Sequence, residues 1–469
     1  MGYTPEDWKK RAAACQEALL ADLAPLIAIE SVRDDSQRSE EAPFGPGPRA
    51  ALDHMLALAA KDSFETEDVD HYAGVIRWGE GDKILGLLCH LDVVPATGTW
   101  DTPPFEATRK DGRLYGRGTS DDKGPAMACY YALKLLREAG ITPHCQIYFI
   151  LGTDEESTWQ CLAHYFEKMP MPDFAFSPDA DFPIINGEKG MFDIDFRWSG
   201  RATGSDGTVV DFHGGTRSNI VPDHASCTIR TPHGESLARE WQSFLDAHPK
   251  ITASLDQADD LVTILVHGQS AHAMEPECGV NAGTYLARFL SHYDFSDADA
   301  YFNLLGQYLY QDHFGESLGI ASEDPVMGTV SVNPGIFSFD GERGQITLNI
   351  RYPRSTDLNT ILRKLRRAAH KMKLQLGMDR NAKGVHYVPA DDPLVATLLE
   401  TYRDHTGREA AERSIGGGTY ARLVPRGVAY GMTMPDSDVV IHQPNESLML
   451  ADLEAATAIY ADAIYRLTK

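Results

Sequence analysis

The chain has 469 residues and a formal net charge of −25 at pH 7. A chain of this length is expected to form two or three domains with well-buried cores. Its acidity argues against nucleic acid and anionic membranes as partners, because both are negatively charged. The seven cysteines form no CxxC pair, and neither a secretory leader nor a membrane-length apolar run is visible. The expected location is therefore the cytoplasm, with reduced thiols.

The amino-terminal part of the chain predicts alternating helices and strands. A first helix is predicted after Thr4, which can cap it, with Pro5 in the first turn. Apolar runs predict buried strands over 83–88, 146–151 and 174–176. Helical periodicity is found over 49–60, over 124–139 and after residue 157. Such alternation is typical of crossover units and a mainly parallel sheet.

A different pattern begins near residue 187. Apolar and polar residues alternate over 192–198, 225–229, 261–266 and 345–351, with helical stretches over 283–293 and 359–373. This pattern predicts a separate α+β domain. The first pattern returns with a helix over 394–405, a short strand over 438–441 and a final helix over 445–469.

The predicted fold class is therefore α/β, with a catalytic domain that is interrupted by an inserted domain. The catalytic domain is assigned to residues 1–186 and 385–469 and is expected to contain a mainly parallel mixed sheet flanked by helices. The inserted α+β lid domain is assigned to residues 187–384.

His90 and Asp92 follow the strand predicted over 83–88. Because strand side chains alternate between faces, the two point the same way, and Asp92 can orient the imidazole of His90. A His-x-Asp pair alone is more often a structural hydrogen bond than a metal ligand pair. Its meaning depends on whether other ligands follow neighbouring strands.

Three further polar clusters follow predicted strands: Asp154-Glu155-Glu156, Ser177-Pro178-Asp179 and His442-Gln443-Pro444-Asn445-Glu446. The carboxyl ends of strands in an open α/β sheet face one crevice. Each cluster alone also fits a helix cap or a turn, but carboxylates gathered in one crevice repel one another unless a cation neutralises them. Imidazoles combined with carboxylates favour zinc, manganese or cobalt over magnesium or calcium.

A glycine-rich loop at 116–124 contains two further carboxylates, Asp121 and Asp122. Its Gly and Lys spacing does not match a P-loop, which argues against phosphate binding. The loop precedes the helix predicted over 124–139, so its carboxylates are within reach of the same crevice.

Five motifs together resemble a family of two-metal peptidases and deacylases. This family includes aminoacylase, succinyl-diaminopimelate desuccinylase, carnosinase and bacterial dipeptidase V. The motifs are 88–95, 116–124, 152–157, 177–182 and 441–446. The resemblance covers essentially the whole chain, and the long inserted domain resembles the dipeptidase V branch most.

The resemblance implies a site for two divalent ions, with zinc expected and manganese or cobalt as alternatives. The implied ligands are His90 and Asp179 for one ion, Glu156 and His442 for the other, and Asp121 as a bridge between both. Glu155 is implied as the general base that activates a metal-bridging hydroxide, and Asp92 as the residue that orients His90. The Asp121-Asp122 peptide bond is implied to be cis. Residue types alone leave the roles of Glu155 and Glu156 interchangeable.

The resemblance also implies substrate-binding residues. Asn219 and His272 would stabilise an oxyanion, Arg351 would bind the terminal carboxylate of the substrate, and the loop with Gly417 and Gly418 would bind a carboxylate. Each of these residues has an alternative explanation. The histidine and the arginine can be structural, and a glycine-rich loop can simply be flexible.

The expected function is that of a metallo-dipeptidase acting on dipeptides or on short peptides with a free amino terminus. An N-acyl amino acid deacylase with the same site is the nearest alternative. A metal-binding sensor or peptide-binding protein is a third hypothesis, and Glu155 argues against it because a binder needs no base. A phosphodiesterase is disfavoured because no phosphate-binding loop is evident. A monomer is expected because the inserted domain is long enough to supply its own lid, and a homodimer is the alternative.

Overall fold

The computed structural model describes residues 2–469, which form two compact units. Unit 1 comprises the described residues up to Gly187 together with Tyr387–Arg413 and Gly418–Lys469. Unit 2 comprises Glu188–His386 and Ser414–Gly417. The sequence analysis assigned 414–417 to the catalytic domain, whereas this stretch is bonded within unit 2. Ser414 Oγ donates to the carbonyl of Val326 at 3.0 Å.

Ten α-helices are present within residues 2–469. They are α1 (Pro5–Ile27), α2 (Pro46–Lys61), α3 (Lys123–Glu138), α4 (Gln160–Lys168), α5 (Gly234–Ala247), α6 (Ala282–Leu290), α7 (Asp299–Asn303), α8 (Leu358–Lys371), α9 (Pro393–Thr406) and α10 (Leu450–Leu467). Shorter helical turns lie at Asp35–Gln37, Pro276–Cys278, Ser296–Ala298, Leu304–Tyr308 and Tyr420–Leu423. The predicted cap of the first helix is confirmed, since Thr4 and Asp7 form a capping box. No helix among residues 2–469 is both long enough and apolar enough to span a membrane.

The strands are short in unit 1 and longer in unit 2. They are β1 (Glu65–Val69), β2 (Ala73–Trp78), β3 (Ile84–His90), β4 (Thr108–Lys110), β5 (Arg113–Tyr115), β6 (Gln146–Gly152), β7 (Phe174–Ser177), β8 (Ala180–Asp181), β9 (Gly187–Glu188), β10 (Gly190–Ser199), β11 (Thr203–Gly204), β12 (Gly207–Gly214), β13 (His224–Arg230), β14 (Thr252–Ala258), β15 (Leu261–His267), β16 (Glu323–Asp324), β17 (Gly328–Thr329), β18 (Ser331–Phe339), β19 (Arg343–Tyr352), β20 (Gln375–Leu376), β21 (Arg380–Lys383), β22 (His386–Tyr387), β23 (Ser414–Ile415), β24 (Gly427–Ala429), β25 (Met432–Thr433) and β26 (Ser447–Met449).

Unit 1 is built on a six-stranded mixed sheet with the order β1-β2-β6-β3-β7-β24. Strands β6, β3, β7 and β24 run parallel to one another, β2 is antiparallel to β6, and β1 is antiparallel to β2. Every residue of β3 is buried. Leu85 and Leu87 pack into the core that contains α1, α3 and α10, and Leu88 packs into the core that contains α4. The predicted mainly parallel sheet flanked by helices is confirmed.

Unit 2 contains a ten-stranded sheet in which the strands pair antiparallel. The main path runs β14-β15-β13-β12-β18-β19-β10-β20. Alternation along β10 buries Phe192, Ile194, Phe196 and Trp198, which pack with residues of α5, α6 and α8 in one core. The alternating apolar pattern therefore predicted these strands correctly, and the α+β character of this unit is confirmed.

The strand predicted over 438–441 is wrong. That stretch makes only one isolated bridge, between Val440 and Ser447. The chain turns back between them because His442 and Asn445 both adopt positive φ, at 58° and 64°. As a consequence, the final helix begins at Leu450 rather than near residue 445.

Gly124 allows α3 to approach the loop that carries Asp121. A Cβ atom at Gly124 would lie 2.0 Å from the carbonyl oxygen of Thr119. Because that neighbour is backbone, no side-chain movement can relieve the overlap.

We predict that Gly124→Ala lowers the free energy of unfolding by about 1–3 kcal/mol, the usual cost of overpacking. Urea unfolding followed by circular dichroism measures the change. Gly384→Ala is the control, since nothing lies within 4 Å of a Cβ at that position. Equal stability of the two variants would contradict the prediction.

Candidate dinuclear metal site

Unit 1 brings the predicted ligands together at one edge of its sheet. His90 is the last residue of β3, Glu155 and Glu156 follow β6, and Asp179 follows β7. These three strands are adjacent and parallel, so their carboxyl ends open on the same side. Asp121 lies in the loop before α3.

Asp121 lies between two imidazoles. Its Oδ1 is 2.9 Å from Nε2 of His90, and its Oδ2 is 2.8 Å from Nε2 of His442. Each oxygen of one carboxylate therefore faces a different histidine. This arrangement is suited to a carboxylate that bridges two cations.

Two further carboxylates complete the arrangement. Oε1 of Glu156 is 3.0 Å from Nε2 of His442, and Oδ2 of Asp179 is 3.7 Å from Nε2 of His90. Glu155 also lies close, since ligand atoms of His90, Glu155 and Asp179 are all within 4.8 Å of one another. The distances alone therefore leave the roles of Glu155 and Glu156 interchangeable.

The nearby imidazoles do not neutralise two of the carboxylates in this cluster, those of Glu155 and Asp179. Burial raises the pKa of Glu155 well above its ordinary value, and the charges of Glu156 and Asp121 raise it further although His90 opposes them. Burial and the charge of Asp121 likewise raise the pKa of Asp179. Divalent cations would relieve this repulsion, and imidazole with carboxylate is a donor set that suits zinc, manganese or cobalt.

The pKa values of the two histidines are raised as well, which for an imidazole favours the charged form. Burial by itself lowers the pKa of His442, but its hydrogen bonds to Asp121 and Glu156 outweigh this and raise the pKa to about 10. Hydrogen bonds to Asp121 and Asp92 raise the pKa of His90 in the same way, against its burial. Cations held by the same carboxylates would supply the positive charge in place of these imidazole protons.

Asp92 holds the turn that carries the two glutamates. Its Oδ1 accepts from the backbone N–H of Glu155 at 3.0 Å, and its Oδ2 accepts from that of Glu156 at 3.1 Å. Nδ1 of His90 is 2.9 Å from the carbonyl oxygen of Asp92 but 3.5 Å from its carboxylate. His90 is thus oriented mainly by the main chain of Asp92, while the carboxylate positions the Glu155-Glu156 turn.

Trp159 and Tyr420 are site residues that the sequence analysis missed. The indole Nε1 of Trp159 donates to the carbonyl of Glu155 at 2.6 Å. The ring of Tyr420 packs edge-on against both Trp159 and His90, with centroids 5.6 and 6.3 Å apart. The only sequence signal was the position of Trp159, four residues after Glu155.

The predicted cis peptide bond between Asp121 and Asp122 is present. Oδ2 of the buried Asp122 accepts from the backbone N–H of His90 at 3.0 Å. The two neighbouring carboxylates therefore have different partners. Asp121 faces the imidazoles, and Asp122 bonds the end of β3.

Unit 2 brings the segments of Asn219 and His272 together. Ile220 and His272 form an isolated bridge, and the N–H of Ala273 donates to the carbonyl of Asn219 at 2.9 Å. Asn219 and His272 are both exposed. Their side chains are therefore accessible on neighbouring loops of this unit.

Arg351 is buried in β19 with a fixed guanidinium. Its Nε donates to Oδ1 of Asn349 at 3.0 Å, and its Nη1 donates to the carbonyl of Gly416 at 2.7 Å. Asn349 Nδ2 in turn donates to Asp193 at 2.8 Å. Arg351 is thus connected to the carboxylate of Asp193 through the side chain of Asn349.

The loop with Gly417 and Gly418 is followed by a four-residue 3₁₀ helix, Tyr420–Leu423. Its first turn is capped by Thr419, whose Oγ1 accepts from the N–H of Ala421 at 3.2 Å. So short a helix offers little dipole for an anion. The prediction that Gly417 and Gly418 bind a carboxylate therefore rests on the family resemblance and stays a prediction.

Comparison with known proteins identifies the class. Residues 86–466 match the family described as Peptidase family M20/M25/M40, and the chain belongs to that family. The family resemblance inferred from the motifs is therefore confirmed, as is the prediction that the protein is a hydrolase of the metallopeptidase class.

One relative is similar over nearly the whole chain. The Beta-Ala-Xaa dipeptidase of Lactobacillus delbrueckii subsp. lactis is 40% identical over 467 residues, which cover 99% of this chain and 98% of that protein.

Two solved structures share the fold. Human carnosine dipeptidase 1 aligns over 100% of this chain and 99% of its own, with a TM-score of 0.59 and 15% identity. The aminoacylhistidine dipeptidase of Vibrio alginolyticus aligns over 96% of each chain, with a TM-score of 0.58 and 14% identity.

We predict that Asp92→Asn lowers peptidase kcat by about 10- to 100-fold, the usual cost of disturbing groups behind a metal site. The new amide would oppose the N–H of Glu155 or Glu156, while the main-chain contact to His90 remains. Divalent-ion content, measured by atomic emission after dialysis, should stay unchanged. Asp392→Asn, which removes the same charge beside Arg426, is the control and should retain kcat. Loss of bound ions in Asp92→Asn would contradict this division of roles.

Proposed function

We propose that this protein hydrolyses the peptide bond of dipeptides, or of short peptides with a free amino terminus, at a site for two divalent ions. The observation that carries the proposal is the carboxylate of Asp121, which faces His90 with one oxygen and His442 with the other. The 40% identical Beta-Ala-Xaa dipeptidase supports the choice of a dipeptide as substrate.

The proposed ligands are the five side chains that converge at this edge of the sheet. They are His90 and Asp179 for one ion, Glu156 and His442 for the other, and Asp121 for both. Zinc is the ion we favour, with manganese and cobalt as alternatives for the same donors. Ions held there would polarise the scissile carbonyl and lower the pKa of a bound water.

Glu155 is the proposed general base. Burial and neighbouring carboxylates raise its pKa, so nearby cations are needed to keep it ionised at neutral pH. Its carboxylate accepts a proton from the water that attacks the carbonyl carbon. It then delivers that proton to the amine nitrogen as the C–N bond breaks. Asp92 and Trp159 fix the backbone on both sides of Glu155, which keeps its carboxylate directed at the site.

Unit 2 is proposed to bind the substrate. Asn219 and His272 are suited to donate hydrogen bonds to the developing oxyanion. The guanidinium of Arg351, oriented by Asn349, is suited to the carboxylate at the end of the substrate. The loop with Gly417 and Gly418 is proposed, from the family resemblance, to bind a carboxylate of the substrate.

We also propose that the protein works in the cytoplasm as a monomer. All seven cysteines are free, and five of them are buried, which is typical of a reducing compartment. The length of the inserted segment supports a lid supplied by the same chain.

Metal removal and substitution of the base test the mechanism. We predict that chelated protein is inactive and that zinc, manganese or cobalt restores activity. Glu155→Gln should lower kcat by about 10²- to 10⁴-fold, the usual contribution of general acid–base catalysis, with little change in ion content. Glu17→Gln, at an exposed pair with Arg109, should behave as the unmodified protein. Full activity without metal would contradict the mechanism.

A substrate panel separates a dipeptidase from a deacylase. We predict a kcat/KM at least about 100-fold higher for free-amine dipeptides than for their N-acetylated counterparts, since a site that pairs a free amine discriminates against a blocked one. The panel should include β-alanyl and D-residue dipeptides and be run on metal-stripped protein reloaded with each ion. A preference for the N-acetylated compounds would assign the protein as an N-acyl amino acid deacylase instead.

A further inference from the structure

A buried ion pair outside the proposed ligand set lies behind the metal site. Glu446 and Arg117 have exposed side-chain fractions of 0% and 1%, and Oε2 of the glutamate is 2.5 Å from Nη1 of the arginine. A buried pair of this kind adds little to stability, because desolvation offsets the attraction. Its position, between the segments that carry Asp121 and His442, indicates a role in positioning them.

Glu446 is bonded to the whole segment that leads to Asp121. Its Oε1 accepts from the N–H of Gly118 at 2.9 Å and from that of Ser120 at 3.0 Å. Its own carbonyl oxygen accepts from the N–H of Gly116 at 3.0 Å. With Arg117 included, one residue makes four bonds to the five residues that precede Asp121.

Arg117 extends the connection to a third loop. Its Nη2 donates to the carbonyl of Pro95 at 3.3 Å, and its guanidinium lies 5.2 Å from the ring centroid of Trp100. Pro95 follows the His90-x-Asp92 segment by three residues. The pair therefore contacts loops that follow or precede His90, Asp121 and His442.

The loop that carries His442 has little regular structure to hold it in place. The side chain of His442 is 48% exposed, its backbone has a positive φ, and the stretch before it forms no strand. Only three residues separate His442 from Glu446, and the strand β26 begins directly afterwards. The bonds of Glu446 are the nearest buried bonds on the carboxyl side of this residue, since the bonds between Asn445 and Asp101 are exposed.

We propose that Glu446, together with Arg117, is a positioning residue that sets the separation between Asp121 and His442. The inference rests on the proposed two-ion site. Glu446 makes no hydrogen bond to a proposed ligand side chain. It acts by fixing the loop that ends at Asp121 relative to the loop that carries His442. The ion held by Glu156 and His442 is the one that depends on it most.

The test measures ion binding directly. Zinc affinities of metal-stripped protein are determined by competition with a chromophoric chelator, and the Co²⁺-loaded protein is examined by visible absorption. For Glu446→Ala and Glu446→Gln we expect one of two ions to bind about 10- to 100-fold more weakly and the other to change by less than about threefold, as for partners behind metal ligands. The Co²⁺ spectrum should change accordingly.

Asp462→Asn is the matched control. Asp462 is also buried, and it pairs with His405 and Arg466 on another side of unit 1. This variant should lose stability, measured as Tm, by an amount similar to the Glu446 variants while both ion affinities stay unchanged. If the Glu446 variants acted only by destabilising the fold, both ions would bind more weakly in all variants, Asp462→Asn included.

A second comparison covers the case in which Glu446→Ala does not fold. Glu446→Gln keeps an oxygen for Gly118 and Ser120 but turns an amide toward Arg117. Adding Arg117→Met removes that conflict, so the double variant should regain ion affinity.

The outcomes separate this inference from the proposed function. Two ions bound with unchanged affinity in both Glu446 variants would overturn the inference and leave the proposed function in place. A metal-stripped unmodified protein that binds fewer than two ions would overturn the proposed two-ion site itself.

Discussion

The carboxylate of Asp121 is held between the imidazoles of His90 and His442, and the arrangement of unit 1 around the site depends on this contact. The three groups come from three separate segments of the chain, so each segment must be fixed independently. His90 is fixed as the last residue of a fully buried strand. Asp121 is fixed by the start of α3 and by the bonds of the preceding loop. His442 lies on an irregular loop and has the least intrinsic support.

The same contact explains the electrostatics of the site. Burial and neighbouring carboxylates raise the pKa values of Glu155 and Asp179, which follow β6 and β7, and the two imidazoles compensate only part of that charge. The parallel strands end side by side and so bring His90, Glu155 and Asp179 together, while the contacts of Asp121 join the segment of His442 to them. Strong hydrogen bonds to backbone N–H groups then hold the ligand-bearing turns, as Asp92 and Glu446 both do.

Much of the fold and of the site could be predicted from the sequence because the signals were local. Buried strands such as β3 are continuous apolar runs, and the polar residues that follow them, such as His90 and Glu156, necessarily lie at the carboxyl edge. The family resemblance then added Asp121 and its cis peptide bond, which no periodicity could indicate. The strand predicted over 438–441 failed because its apolar residues matched the pattern while the backbone of His442 turned the chain away.

Contacts between distant segments could not be predicted in this way. The indole of Trp159 reaches the carbonyl of Glu155 only because the turn closes on itself, and Glu446 meets Arg117 across more than 300 residues of chain. The carbonyl oxygen of Asp92 lies nearer to Nδ1 of His90 than its carboxylate does, so the main chain of Asp92 makes the closer contact with the imidazole. Sequence gives the residue types, but the choice between main-chain and side-chain oxygen is made by the folded backbone.

The central claim is that Asp121 bridges two divalent ions. Anomalous X-ray diffraction from crystals of the manganese-loaded or zinc-loaded protein tests it most directly. The account predicts two anomalous peaks about 3.5–4 Å apart, the usual spacing in two-metal sites, with one oxygen of Asp121 facing each peak. A single peak, or two peaks of which neither contacts Asp121, would contradict it.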